Sequence, residues 1–241
     1  MWAFIYSLGS PKLFYEWSGR HLPWVSTLMI ITLSTGLIWG LFFTPPDYQQ
    51  GDAFRIIYLH VPAAFLSLSL YAVMAFLAIL LLVWQIKLAG LMIGVVARIG
   101  AIMAVLALVT GSIWGKPMWG AWWVWDARLT SELVLFLLYA AILGSLSSFA
   151  NPNQGEKLVA ILTLVGLIDL PIIHYSVYWW NSLHQGQTLS LLAKPKIAPV
   201  MLYPLLLTLV GFSLYALVSV LWLGRARVLA RDRHKAWVKE V

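Results

Sequence analysis

The chain contains no cysteine. That absence excludes disulfides, thiolate metal sites and dithiol redox chemistry, and with them a quinone-linked thiol oxidase. It also excludes the thioether attachment of a c-type haem, so any haem held here is held without covalent links. Histidine is then the leading candidate for a metal ligand, and there are only 5 of them. Charge is scarce, at 10% of residues, and no polar stretch is long enough for a separate soluble domain. A phosphate-binding loop is missing too. The run G-S-I-W-G-K-P around Lys116 lacks the required spacing and the Ser or Thr after the lysine, so the chain has no nucleotide-hydrolysis motif of its own.

What is present is apolar. The 241 residues are 61% hydrophobic with a mean hydropathy of +0.85, the composition of a polytopic membrane protein. Six apolar stretches, at about 23–43, 61–84, 92–113, 129–149, 158–178 and 200–223, each approach the roughly 20 residues needed to cross a bilayer. Each is expected to be helical, because in hydrocarbon a helix satisfies its own backbone hydrogen bonds. Residues 1–22 mix Trp2, Phe4, Tyr6, Phe14, Tyr15 and Trp17 with Lys12, Glu16 and Arg20. They read as an interfacial segment rather than a cleaved signal sequence. The expected fold is an all-α integral membrane protein, a single polytopic domain over 1–241 with six transmembrane helices.

The formal net charge of +7 gathers in a tail, where Arg225, Arg227, Arg231, Arg233, Lys235 and Lys239 face only Asp232 and Glu240. A basic tail over 224–241, directly after an apolar run, marks the cytoplasmic side and meets anionic membrane lipids. It is too short, and follows no suitable fold, for nucleic-acid binding. With the N-terminus inside, ten Lys and Arg fall on the inner side, besides Arg98 near an inner helix end. Five fall outside: Arg55, Lys116, Arg128, Lys194 and Lys196. Both termini are therefore expected in the cytoplasm. The inner connections, about 85–91 and 150–157, are short, whereas the outer ones, 44–60, 114–128 and 179–199, hold the unusual residues.

Five tryptophans, Trp114, Trp119, Trp122, Trp123 and Trp125, fall within twelve positions and are followed by Asp126 and Arg128. They suit an interfacial anchor or a platform for a large planar ligand. His60, in I-I-Y-L-H-V-P, sits at the outer mouth of the second helix, with Pro62 fitted to its first turn. His184 lies just past the fifth helix on the same side. Two such histidines are either structural or a pair able to ligate one iron from opposite faces of a porphyrin. Asp126 is a candidate N-cap for the fourth helix, and it could also accept a hydrogen bond from a ligand or hold Arg128 in place. Arg128, Arg55 and Lys116 are the outer cations available to haem propionates, with Arg the better shaped for carboxylates. Glu132 and Asp169 lie inside spans, where ionisable groups are costly; a proton path or an interhelical hydrogen bond would account for them. His174 reads as a core hydrogen-bonding residue or a support for a bound group.

The runs W-G-K-P-M-W-G-A-W-W-V-W-D-A-R-L-T-S-E-L, I-I-Y-L-H-V-P-A-A and L-P-I-I-H-Y-S-V-Y-W-W-N-S-L-H-Q-G resemble a known family. They are similar, in order and across all six spans, to the CcmC (haem exporter protein C) branch of the tryptophan-rich, WWD-motif haem-handling proteins of cytochrome c maturation. The resemblance implies that Trp119 to Asp126 hold haem b, iron protoporphyrin IX, at the outer face of the bacterial inner membrane, with His60 and His184 as the axial or near-axial histidines. It implies transfer of the haem to a periplasmic chaperone of the CcmE type. It further implies ATP-binding and permease subunits of an ABC transporter (CcmA- and CcmB-type) and a small CcmD-type membrane subunit as partners. The chain would be a carrier, not an enzyme. Two other readings stand beside it: a permease subunit without its own haem site, and a b-type electron-transfer cytochrome. The cytochrome would need histidine pairs inside helices, which no expected span has.

Overall fold

The computed structural model describes residues 9–180, 182–184 and 197–241, and among these it contains helices and turns with no strand ladder. Seven long helices and one short one follow each other: α1 Pro11–Ile38, α2 Ile57–Trp84, α3 Lys87–Trp119, α4 Ala127–Ser147, α5 Pro152–Gly166, α6 Asp169–Trp179, α7 Pro199–Asp232 and α8 Ala236–Lys239. With its π-helical end at Trp39–Phe43, α1 makes one candidate membrane span; α5 and α6 together make another, for six in all. Lys194 and Lys196, counted above on the outer side, lie outside the described residues.

Helix ends differ from the sequence expectation in ways that matter for the site. A 3-10 turn, Asp52–Ile56, leads into α2, which therefore starts before His60 and carries Pro62 inside it rather than in its first turn. The third helix continues through Pro117 to Trp119, so Trp114 and Trp119 ride on a helix end and the connection proper is only residues 120–126. Gly120 closes α3 in the left-handed region, φ 76°, where a side chain would be strained. The fifth span breaks at Leu167–Ile168, just ahead of Asp169 and Pro171. Residues 11–22 do not form a separate helix; they run on into the first span.

The core lies where α2, α3, α4 and α5 meet, around Tyr71, Met74, Ile93, Val96, Leu135, Tyr139 and Val159, all fully or almost fully buried. The third helix is central: 61% of its most apolar stretch lies inside the protein, against 11% for α1. Helix α1 packs chiefly along α7 and turns Trp24 and Ile30 outward, as its π-helical end does Phe42 and Phe43, in the manner of a lipid-facing helix. Its seam with α7 depends on glycine. A Cβ on Gly211 would lie 2.6 Å from Leu33 Cα, and one on Gly36 2.8 Å from Thr208 N. Small residues let membrane helices approach this closely.

A second, smaller cluster sits at one end of the bundle, where Phe54, Ile57, Tyr58, Met201 and Leu205 pack with Leu41 and Trp114. It ties the end of α1, the 3-10 turn and the starts of α2 and α7 to the end of α3. At the opposite end the basic tail is not free: Arg231 pairs with Glu156 at 2.9 Å and also reaches Asn153 and the Lys87 carbonyl. Arg225 donates to the Tyr15 carbonyl and lies 3.8 Å above the Tyr15 ring.

Candidate functional site

His60 lies on the first turn of α2, facing α3. Its Nδ1 is 3.1 Å from the Ala107 carbonyl and 3.1 Å from Thr110 Oγ1. A carbonyl can only accept, and the Thr110 hydroxyl donates to the Leu106 carbonyl. The ring proton therefore belongs on Nδ1, which leaves Nε2 with its lone pair. Gly111, one turn along α3, makes room for the imidazole: a Cβ there would be 3.1 Å from the ring.

His184 reaches the same place from the segment after α6. Its Nδ1 is 2.9 Å from Asp126 Oδ2, which also accepts from the Ser182 hydroxyl at 2.7 Å. Ser182 Oγ in turn accepts the His184 backbone N–H at 3.1 Å. The other carboxylate oxygen of Asp126 accepts the Leu129 N–H at 2.8 Å and caps α4. The N-cap expected of Asp126 is thus present on one oxygen, while the other fixes His184, a partner the sequence did not indicate. Burial pushes the Asp126 carboxyl up, but the hydrogen bonds from Leu129, Ser182 and His184 outweigh it, and it stays below the ordinary aspartate value. Burial pulls the His184 imidazole down, against the raising effect of Asp126, so that it is neutral at neutral pH. Its Nε2, like that of His60, is left available.

The two histidines line one cavity, together with Ala64, Gly111, Arg128 and Glu132. It is narrow, about 40 Å³, room for a few waters. Arg128 is on the first turn of α4. Glu132, one turn further on, is 8% exposed, and its Oε1 has no hydrogen-bond partner among the described residues.

The tryptophans divide into three kinds. Trp114 sets its ring edge-on to His60 at 5.6 Å, and Trp119 does the same to His184 at 4.9 Å. Trp122 and Trp125 are surface residues, 58% and 75% exposed. Trp123 packs edge-on to Trp125, with a buried Nε1 that has no partner among the described residues. Lys116 lies 6.0 Å from the Trp122 ring and donates to the Gly120 carbonyl. Arg55 is not part of the cavity wall: its guanidinium bonds Asp52 at 3.0 Å and the Thr44 carbonyl at 2.8 Å. His174 is on the surface of α6 rather than in the core.

With this geometry in hand, comparison with known proteins is decisive. The family model described as heme exporter protein C matches residues 4–239. The chain belongs to the CcmC family. Among its relatives, heme exporter protein C of Haemophilus influenzae is 47% identical over 239 residues, covering 99% of this chain and 97% of that protein. Heme exporter protein C of Escherichia coli K12 is 46% identical over 241 residues, 100% of this chain and 97% of the relative. The Rhodobacter capsulatus protein of the same name is 39% identical over 228 residues, 94% of each.

In this CcmC-family chain, sequence reasoning passed over several residues that build the site. Gln50 accepts the Trp114 indole N–H at 2.9 Å. It is set by a turn in which Asp47 Oδ1 accepts two backbone N–H groups and Gly51 takes φ 56°. Ser182, Thr110 and Gly111 hold the histidines. The polar run Y-Q-Q-G-D between the first two spans was the only signal for the first of these.

Proposed function

We propose that the chain is a haem-handling membrane subunit of c-type cytochrome biogenesis, which holds haem non-covalently and gives it up to a chaperone. One observation carries this reading: His60 and His184, from separate elements, line a common cavity, each with Nδ1 engaged by an acceptor and Nε2 left over. That is the state in which imidazole ligates iron, and the acceptor behind each ring fixes tautomer and direction.

The donor set suits an iron porphyrin. Two neutral imidazoles serve the iron, and Arg128 in the cavity wall serves a propionate through paired hydrogen bonds. Trp114 and Trp119 brace the imidazole edges, while the exposed faces of Trp122 and Trp125 offer stacking surface for the macrocycle. Trp123 Nε1 is a further buried donor for the ligand. Arg55 holds the 3-10 turn that launches α2 and so supports His60 from behind. The cavity is far smaller than the roughly 300–1,000 Å³ of sites that enclose a small molecule. Entry of the macrocycle therefore requires residues 182–184 to move away from α2, carrying His184 outward.

The inferred setting is the bacterial inner membrane, with both termini cytoplasmic and the site on the periplasmic side. The haem is cargo, iron protoporphyrin IX, taken by a CcmE-type chaperone that approaches the tryptophan surface. CcmA- and CcmB-type ABC subunits and a CcmD-type small subunit complete the complex. The test is the absorption spectrum of the purified protein. Wild type is expected to copurify with haem showing a two-imidazole Soret band, and His60→Ala or His184→Ala to lose most of it. A double variant that keeps the full haem content and an unaltered spectrum would rule out the ligand assignment, whereas a wild type with which no haem copurifies would favour a permease subunit without its own haem site.

A further inference from the structure

A groove lies between α2 and α6, walled by Phe65, Leu68 and Ala72 on one side and Leu170, His174 and Tyr175 on the other. It encloses about 430 Å³, within the range of small-molecule sites. It opens on the outside of the bundle, where Phe65 and Tyr175 are each about half exposed, 50% and 45%. Both helices belong to membrane spans, so this opening faces lipid. The lining is mostly apolar; the Ser69 hydroxyl donates to the Phe65 carbonyl, and the one imidazole is that of His174, which is exposed and stands edge-on to Tyr175 at 4.8 Å. An ionisable side chain turned toward lipid costs free energy, and such residues mark a function.

The groove and the two-histidine cavity use neighbouring stretches of α2. Ala64 lines the cavity of the two histidines and Phe65, the next residue, lines the groove. The walls are the two elements that carry the iron ligands: α2 bears His60, and α6 leads into His184. Along α2 the groove begins about 8 Å and ends about 18 Å below His60, at 1.5 Å per residue. A flat, mostly apolar macrocycle travelling in the bilayer would meet this opening, and would find in His174 the single metal-ligating group it displays. A partner helix fits less well, since close helix packing in membranes uses small residues and this rim is aromatic.

We propose that the groove is a lateral docking site for lipid-borne haem, with His174 as its transient ligand, from which the haem rises between α2 and α6 to His60 and His184. This rests on the haem-handling reading above. The test uses the full chain in lipid nanodiscs with ferric haem added to the lipid. In the His60→Ala/His184→Ala variant, a weak single-imidazole haem signal is expected, and it disappears when His174→Phe is added. In the wild-type background, His174→Phe leaves the final spectrum unchanged but slows its appearance about tenfold, the lower end of the effect of removing a supporting ligand contact. Ala72→Trp, which fills the groove from an exposed position and leaves His174 in place, is expected to slow it likewise. If neither variant changes the rate, and the residual signal survives His174→Phe, the groove is a lipid or partner-helix surface and the proposal is overturned. Failure of the upper site instead appears as a wild-type spectrum in the double variant, a separate result.

Discussion

At the scale of single residues, Asp126 joins fold to chemistry. One oxygen caps α4 and the other fixes His184, so Asp126→Asn separates the two. An asparagine oxygen still caps the helix, and stability is expected to stay within about 0.5 kcal/mol of wild type. The amide N–H₂, turned toward His184, cannot accept from Nδ1. The ring then favours the tautomer protonated on Nε2, which cannot ligate iron. Haem affinity is expected to fall about 10- to 100-fold, read by haem titration alongside a thermal melt. Asp126→Ala should lose both properties. The two histidines were legible in the sequence because each falls beside a helix end on the same side, where hydropathy alone indicates depth. Gln50 beneath Trp114, Thr110 behind His60 and Ser182 beside Asp126 were not. Each acts across dozens of residues, and no period or local motif records such a contact.

At the scale of elements, the six spans were legible because a bilayer demands uninterrupted apolar helices of a set length. Their ends were less so. Pro62 was placed in the first turn of its helix and the third span was ended near residue 113, yet Pro62 and Pro117 lie within α2 and α3. The extra turns of α3 convert half of the tryptophan stretch from connection into helix, which gives Trp114 and Trp119 fixed directions. The close seam between α1 and α7 was also hidden, since a glycine in an apolar run looks the same whether or not a backbone lies against it. Gly211→Ala is expected to destabilise the protein by about 1–3 kcal/mol, the cost of overpacking a tight contact. Thermal unfolding in detergent measures this. The haem spectrum at low temperature should persist, because the imidazoles and Arg128 sit on other elements.

At the scale of the whole molecule, the basic tail was expected at the lipid surface, whereas Arg225 and Arg231 are engaged within the chain. Arg231 links the end of α7 to the start of α5 through Glu156, whose side chain is 10% exposed. Arg231→Ala leaves that carboxylate unpaired in a nearly closed setting, and a loss of about 1.5–3 kcal/mol is expected, the worth of a hydrogen bond to a charged group. Glu156→Gln keeps an acceptor for Arg231 and leaves no stranded anion, so it should cost less. Comparing the two melting temperatures checks the order; equal losses would show that the pair contributes through packing alone.

For the haem site proposed above, the narrowness of the cavity that both imidazoles line has a consequence for how cargo would be held. A jaw that rests nearly shut grips more weakly than its contacts alone would allow, because part of the attraction goes into keeping it ajar. The same recoil favours the empty form once a receiver has hold of the exposed edge. Permanent pigments gain from a rigid, ready-made slot; a go-between gains from one that springs back.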